Sequence, residues 1–245
     1  MVAIQTTGLT KRFKDKTAVD NLNLSIENGE LFALLGVNGA GKTTTIKMLS
    51  GLCSPTSGDA VLLGDSIVKA AHKVKENTNV SPQETAVARN LTVRENLELI
   101  AGIYGADKKA AKEKAENMIK SFALGEVADK KAKILSGGFQ RRLSIAMALI
   151  SDPKILFLDE PTLGLDVLAR RELWKAIGAL KGKVTMILTT HYMEEAEALS
   201  DRIGIMSDGH LKAVGTAKEL IAQTNAKNFE DAFIALATET EATAL

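Results

Sequence analysis

A single cysteine among 245 residues, Cys53, leaves no internal disulfide to form and fits a reducing compartment. As a lone residue it is expected to pack rather than react. Charge of neither sign is in surplus: 31 basic side chains face 30 acidic ones and the formal net charge is +1, so there is no electrostatic footprint for nucleic acid or for an anionic membrane. No apolar run approaches the ~20 residues that cross a bilayer, so any membrane role is expected to come through a partner. Met1-Val2-Ala3-Ile4-Gln5 lacks the basic start and long apolar stretch of a signal peptide. No segment sustains a heptad pattern, which excludes a long coiled-coil insertion, and there is no internal repeat. What remains, at 45% hydrophobic composition, is enough apolar material for one large α/β core with a subdomain.

Against that background one stretch stands out. Gly36-Val37-Asn38-Gly39-Ala40-Gly41-Lys42-Thr43 follows the apolar run Leu31-Phe32-Ala33-Leu34-Leu35 and precedes a segment of helical composition that ends near Gly51. A strand-to-helix turn built this way is a phosphate-binding loop. Its backbone N–H groups and the helix N-terminus converge on the clustered charge of a nucleoside triphosphate, and only glycine lets a backbone come that close. Residues Gly36 to Thr44 are the expected ATP contact; Lys42 adds a point charge for the β- and γ-phosphates and Thr43 offers a hydroxyl to Mg²⁺.

Upstream, Val2 to Thr6, Thr10 to Phe13 and Leu22 to Ile26 read as short strands, and Asn28-Gly29 turns into the apolar run. Phe13 is an aromatic among charges; taken alone it reads as a core residue of its strand, the other reading being a platform for a base. After the loop helix, Ser54 to Asp59 is a turn cluster, followed by strands at Ala60 to Leu63 and Ser66 to Val68. Ser81-Pro82-Gln83-Glu84 breaks the pattern and by itself reads as a loop. From Thr92 to Lys133 the chain is helical. Thr92-Val93-Arg94-Glu95 is a capping box, Val93, Leu97, Ile100 and Tyr104 follow at helical spacing, and Arg94 and Glu98 fall on the exposed face. A second helix spans Lys108 to Phe122, its mixed charges forming a solvated face.

Leu135-Ser136-Gly137-Gly138-Phe139-Gln140 opens a third helix with Phe139, Leu143, Ala146 and Ile150 on its apolar face. Two glycines where a helix begins cost backbone entropy, and they point either to a second anion site at that N-terminus or to a plain turn capped by Ser136. The buried run Ile155 to Leu158 ends in Asp159-Glu160-Pro161. At the C-terminal edge of a parallel sheet, where ligands bind, Asp159 can hold the Mg²⁺ shell and Glu160 can reach an attacking water. Gly164-Leu165-Asp166 leads into an amphipathic helix from Val167 to Leu180, and the strand Val184 to Leu188 ends at Thr189-Thr190-His191. As a lone histidine His191 reads as structural, although it falls at the same sheet edge. A hairpin from Ile203 to Val214 and a short helix carrying Phe229, Phe233 and Leu236 follow, with residues 238–245 expected to fray.

The order of these elements resembles the ATP-binding subunit of ABC transporters over nearly the whole chain. Its most specific part is Leu135-Ser136-Gly137-Gly138 a short helix before the strand ending in Asp159-Glu160, which is similar to the family's signature motif followed by Walker B. The resemblance implies that Phe13 stacks on adenine and that Gln83 is the Q-loop glutamine, a Mg²⁺ ligand beside Thr43 and Asp159. It also makes Asp166 the D-loop aspartate and His191 the switch histidine at the γ-phosphate. The implied fold is α/β: a P-loop NTPase core with a mostly parallel sheet (residues 1–83 and 152–222) and an N-terminal antiparallel β subdomain. A helical and signature-motif subdomain (84–151) is inserted, and a C-terminal helix and tail (223–245) follow. Phe139-Gln140-Arg141-Arg142, the run Glu160 to Asp166 and Phe229-Glu230-Asp231-Ala232-Phe233 look like single-domain subunits of drug- or sodium-efflux exporters. Departures are small: Met147 stands where an arginine is common and Phe13 replaces a commoner tyrosine.

In function the resemblance implies ATP hydrolysis that energises export. Lys42 and the loop amides hold the phosphates, Glu160 polarises the water, and His191 steadies water and γ-phosphate. Leu135, Ser136, Gly137, Gly138 and Gln140 act on the ATP of a second copy or homologous subunit in a head-to-tail dimer. The implied partners are that subunit and a polytopic membrane subunit, with the chain peripheral on the cytoplasmic face of the membrane and no nucleic acid bound. The competing class is a soluble ABC-type ATPase that drives protein assembly or remodelling without a transporter.

Overall fold

Two sheets organise the chain, and the computed structural model describes residues 1–238. In the first, β1 (Val2–Phe13) is one strand where the sequence reads two, because Gly8, at φ +56°, bends it without ending it. Its first half pairs with β3 (Ser25–Glu27) and its second with β2 (Lys16–Leu22), so the strand expected from Leu22 to Ile26 is divided between two elements. After β4 (Leu31–Leu35) and α1 (Lys42–Leu49), the chain returns to this antiparallel sheet with β5 (Ser57–Leu62) and β6 (Asp65–Ser66).

The second sheet is laid down around β4. Next come α2 (Ala71–Asn77) and β7 (Thr78–Ser81), neither expected from the sequence: β7 is polar and only partly buried, as suits the edge strand it forms. A helical stretch follows, α3 (Val93–Ile103), α4 (Lys108–Ser121) and α5 (Gly137–Leu149), then β8 (Ile155–Asp159), α6 (Val167–Gly178), β9 (Thr185–Thr190) and α7 (Met193–Leu199). The chain continues through β10 (Arg202–Ser207), β11 (His210–Gly215), α8 (Ala217–Thr224) and α9 (Phe229–Thr238). The sheet order is β11-β10-β4-β9-β8-β7, parallel throughout except for β11. β4, β8 and β9 are buried along their whole length, which is why they read as unbroken apolar runs. The expected fraying of residues 239–245 lies outside the described residues.

The capping box that starts α3 is formed, Thr92 Oγ1 accepting from Glu95 N–H (3.1 Å) and Glu95 Oε2 from Thr92 N–H (2.7 Å). Its buried stripe is Val93, Asn96, Leu97 and Ala101, while Tyr104 lies exposed. Arg94, expected on a free face, is only half exposed: its guanidinium bridges Asp129 and Glu116. The helical stretch builds no separate core. Leu97, Ala115 and Leu143 belong to one apolar cluster with Leu156 and Leu188 of the sheet: α5 packs on β7 and β8, and α3 and α4 pack on α5 and on each other.

Candidate functional site

β4, β8 and β9 deliver their C-terminal ends to one edge of the sheet, and everything polar at that edge follows from three adjacent strand exits. At the first, the chain leaves β4 through Gly36, where a Cβ would sit 2.2 Å from the Met206 carbonyl oxygen. Gly41 caps α1 at φ +107°, and a Cβ there would lie 2.4 Å from the Ala18 carbonyl. No other residue type fits either position. Lys42, 5% exposed, folds back so that Nζ donates to the carbonyls of Gly36 (2.7 Å) and Val37 (3.1 Å). Burial lowers its pKa, against the opposing pull of Glu160 and Asp159. A cavity of about 440 Å³ opens over this loop, lined among others by Phe13, Asn38, Lys42, Thr43, Gln83 and Glu160.

The second exit is β8. Asp159 Oδ1 accepts from the hydroxyls of Thr43 (3.0 Å) and Thr189 (2.6 Å), joining the strand to the phosphate loop and to β9. Glu160 then takes the left-handed backbone, φ +47°, with its N–H on Thr189 Oγ1 (3.0 Å). That turn aims its carboxylate back into the cavity. Oε1 lies 3.5 Å from Lys42 Nζ and Oε2 2.8 Å from Nδ1 of His191, which sits just past the third exit, β9. Among the described residues there is no cluster of three or more His, Cys, Asp or Glu side chains for a metal. Mg²⁺ does not need one, since it keeps waters and substrate oxygens and uses one or two protein oxygens. The touching hydroxyl and carboxylate of Thr43 and Asp159 are such hard donors, so these residues fit that ion.

Two residues stand differently from what they suggest in isolation. Phe13 is 50% exposed at the cavity mouth, with Lys11 Nζ 5.0 Å from its ring centroid, so the core reading fails. His191 is partly exposed and bonded to Glu160, so it is no inert core residue. Gln83 is exposed at the cavity rim.

The glycine-rich start of α5 lies elsewhere. Ser136 occupies the N-cap without a side-chain bond to the helix amides, and Gln140 Nε2 donates to the Leu135 carbonyl (3.0 Å). The two glycines have different reasons. A Cβ on Gly138 would come within 2.9 Å of Ala169 Cβ, so close packing on α6 requires glycine, whereas one on Gly137 would meet only Leu165, at 3.9 Å. Asp166 caps α6, its Oδ1 accepting from Leu168 and Ala169 N–H (both 2.9 Å). Ser136, Gly138 and Asp166 line a second cavity, of about 640 Å³, that shares no residue with the one over the phosphate loop. Within one chain the N-termini of α1 and α5 open onto different cavities.

Sequence reasoning passes over Arg141, which is 4% exposed. Its guanidinium donates to four backbone carbonyls: Pro161 (2.7 Å), Asp159 (2.7 Å), Gln83 (3.1 Å) and Pro82. Burial brings its pKa down to about 10, opposed by Asp159, Glu195 and Glu160. Glu195 is also fully buried, accepting from Trp174 Nε1 (3.0 Å), and burial raises its pKa. Two adjacent arginines on a helix look like a solvated face. Both are interior, Arg142 at 7% exposed with Nη1 donating to the carbonyls of Phe122 (3.4 Å) and Ala123 (3.3 Å), and only the long-range arrival of such carbonyls buries them; no local sequence signal carries that.

A profile of the family described as "ABC transporter" matches residues 19–163. The chain is 44% identical over 222 residues to a probable multidrug ABC transporter ATP-binding protein, YbhF, of Escherichia coli (strain K12), an alignment covering 90% of this chain and 38% of that one. It is 40% identical to the daunorubicin resistance ATP-binding protein DrrA3 of Streptomyces coeruleorubidus, covering 91% of this chain and 71% of the relative. The fold superposes on a dimeric, post-hydrolysis ATP-binding cassette bound to ADP and Pi with a TM-score of 0.79 at 26% identity, covering 87% of this chain and 98% of the other.

Proposed function

Because the chain belongs to the ABC transporter family, we propose that it is the ATP-hydrolysing subunit of a membrane exporter, working through ATP-driven head-to-tail dimerisation. One observation carries the reading: Glu160 is held between Lys42 and His191 at the edge of the phosphate-loop cavity, beside the joined Thr43 and Asp159. That is a carboxylate fixed where a water would attack the terminal phosphate, with a cation and an imidazole to either side. On ATP binding, Lys42 exchanges its loop carbonyls for phosphate oxygens, and the amides of Gly39 to Thr44 supply the remaining donors. Thr43, Asp159 and Gln83 would hold Mg²⁺, which would supply positive charge to offset that of the phosphates. Glu160 takes the proton of the water, and His191, released from Glu160, steadies the γ-phosphate.

The base of ATP stacks on Phe13, whose exposure at the cavity mouth has no packing reason. Phe13→Ala weakens adenine nucleotides about 2–10-fold, from the ~0.5–1.5 kcal/mol of an aromatic stack, and leaves turnover at saturating ATP near the parent value. Titration with ADP checks this. Unchanged affinity places the base elsewhere.

The signature residues Leu135, Ser136, Gly137, Gly138 and Gln140, with Asp166, act on the nucleotide of a second copy or a homologous subunit. The separation of the two cavities supports that arrangement. Residues 84–151 form the body that a membrane partner moves, residues 1–83 and 152–222 the nucleotide core, and 223–245 the C-terminal element. The partner's docking surface runs from Gln83 along α3, where Leu99 (47% exposed), Ile103 (67%) and Tyr104 form an apolar row. No described helix is long and apolar enough to cross a membrane. In this reading a polytopic partner supplies the spanning segments, and the chain sits against it as a peripheral subunit on the cytoplasmic face. Cysteines at Leu99 and Ile103, in a Cys53→Ser background, cross-link to a polytopic protein in native membranes. Cross-links to a soluble partner alone would instead support an assembly ATPase.

A further inference from the structure

The first full turn of α5 ends on a side chain that donates only to backbone carbonyls. Arg141 is buried in α5 one turn after Gly137, and no carboxylate neutralises its charge by direct contact. Its partners are neutral carbonyls from two segments: Pro82 and Gln83 in the loop after β7, and Asp159 and Pro161 around the end of β8. A buried cation satisfied in this way is an expensive means of filling space. A well-packed apolar residue of similar size would stabilise a fold at least as well. The geometry gives the cation another use. The two segments it grips hold Gln83 at the cavity rim and the carboxylates Asp159 and Glu160, and they are joined across one rigid planar group. That group is anchored in the helix whose N-terminus serves the other subunit.

We infer that Arg141 is a positioning residue that couples the nucleotide site of its own chain to the N-terminus of the signature helix, and so to the site of the partner subunit. The inference rests on the ATPase reading above. A shift of the Gln83 loop pulls on Pro82 and Gln83 carbonyls that share a guanidinium with Asp159. The loop, the β8 exit and α5 therefore move as a unit or the bonds break.

The test compares Arg141→Met, Arg141→Lys and the parent in the full chain. ADP affinity of the monomer is expected to stay within about twofold, because no carbonyl held by Arg141 is a nucleotide ligand. Turnover falls about 10–100-fold with KM little changed, the size of effect seen when a residue that orients ligands from behind is removed. Arg141→Lys, a point charge unable to span both segments, recovers part of the loss. In a Glu160→Gln background, Arg141→Met also raises the ATP concentration needed for half-maximal dimerisation at least about 10-fold. Parent-like turnover in folded Arg141→Met overturns the inference, and so does ADP affinity that falls in step with turnover, the mark of a purely structural residue. Should Arg141→Met melt below assay temperature, amide exchange in the parent chain decides. Residues 82–84 and 136–140 change protection together on adding ATP if they are coupled, and independently if they are not. Absence of ATPase activity in the parent chain refutes the ATPase reading itself, a result distinct from any of these.

Discussion

Glu160→Gln halts ATP turnover, lowering it about 10²–10⁴-fold, while ATP stays bound with near-parent affinity. The expectation follows from what each oxygen of Glu160 touches. Gln preserves the shape and can keep one contact to Lys42 and one to His191, at 3.5 Å and 2.8 Å in the parent, so the cavity holds its form. What it loses is the ability to accept the proton of a water. With binding intact and hydrolysis stopped, the ATP-bound dimer accumulates, and size-exclusion chromatography in ATP and Mg²⁺ reads it directly. Turnover above about a tenth of the parent removes Glu160 as the base, being too small a loss for general-base catalysis. A strictly monomeric profile removes the composite site.

Lys42→Ala acts on binding and chemistry together. A charge-assisted hydrogen bond contributes about 1.5–3 kcal/mol, so ATP affinity drops about 10–150-fold. Turnover falls a further 10²–10³-fold or so, the effect of deleting one donor aimed at developing charge. The substitution also deprives the carbonyls of Gly36 and Val37 of a donor and Glu160 of its neighbouring cation. Lys42→Met, which keeps most of the volume, separates the missing charge from the missing packing. The nucleotide series is the sharper measurement. With Lys42 at the terminal phosphates, as proposed, the loss follows ATP > ADP > AMP, and equal weakening of AMP would place the ammonium away from the phosphate chain.

The parts of this site that sequence reveals are those in which local chain chemistry and function coincide. A glycine-rich turn between a buried strand and a helix has one geometry open to it, and Gly36 and Gly41 are bound to it by backbone a fraction of a bond too close for any Cβ. Carboxylates at the end of an apolar run must likewise be exposed or employed, which singles out Asp159 and Glu160. The rest depends on contacts between distant segments. Phe13 has the composition of a core strand residue, and only the position of β1 relative to the phosphate loop leaves it uncovered. β7 carries too little apolar character to be read as a strand, since its pairing to β8 is made by backbone. α8 did have a local signal. Thr216 and Glu219 form a capping box as complete as that of α3, and T-x-x-E ahead of Leu220 spells it out.

The order of the strands in the parallel sheet has a consequence for the birth of the protein. β4, which presents the phosphate loop, has as neighbours β9 and β10, with Leu35 opposite both Thr190 and Ile205, and Gly36 rests against the Met206 carbonyl. The loop therefore leaves the ribosome roughly 170 residues before the last segment that shapes it. At about 5–20 residues per second that is an interval on the order of ten to thirty seconds. During that interval α3, α4 and the start of α5 emerge with mostly local partners, whereas the phosphate loop still lacks the β9 and β10 neighbours that flank it in the folded chain. ATP in the surrounding solution can then act only as a late selector, stabilising chains whose final parallel strands have already closed around β4.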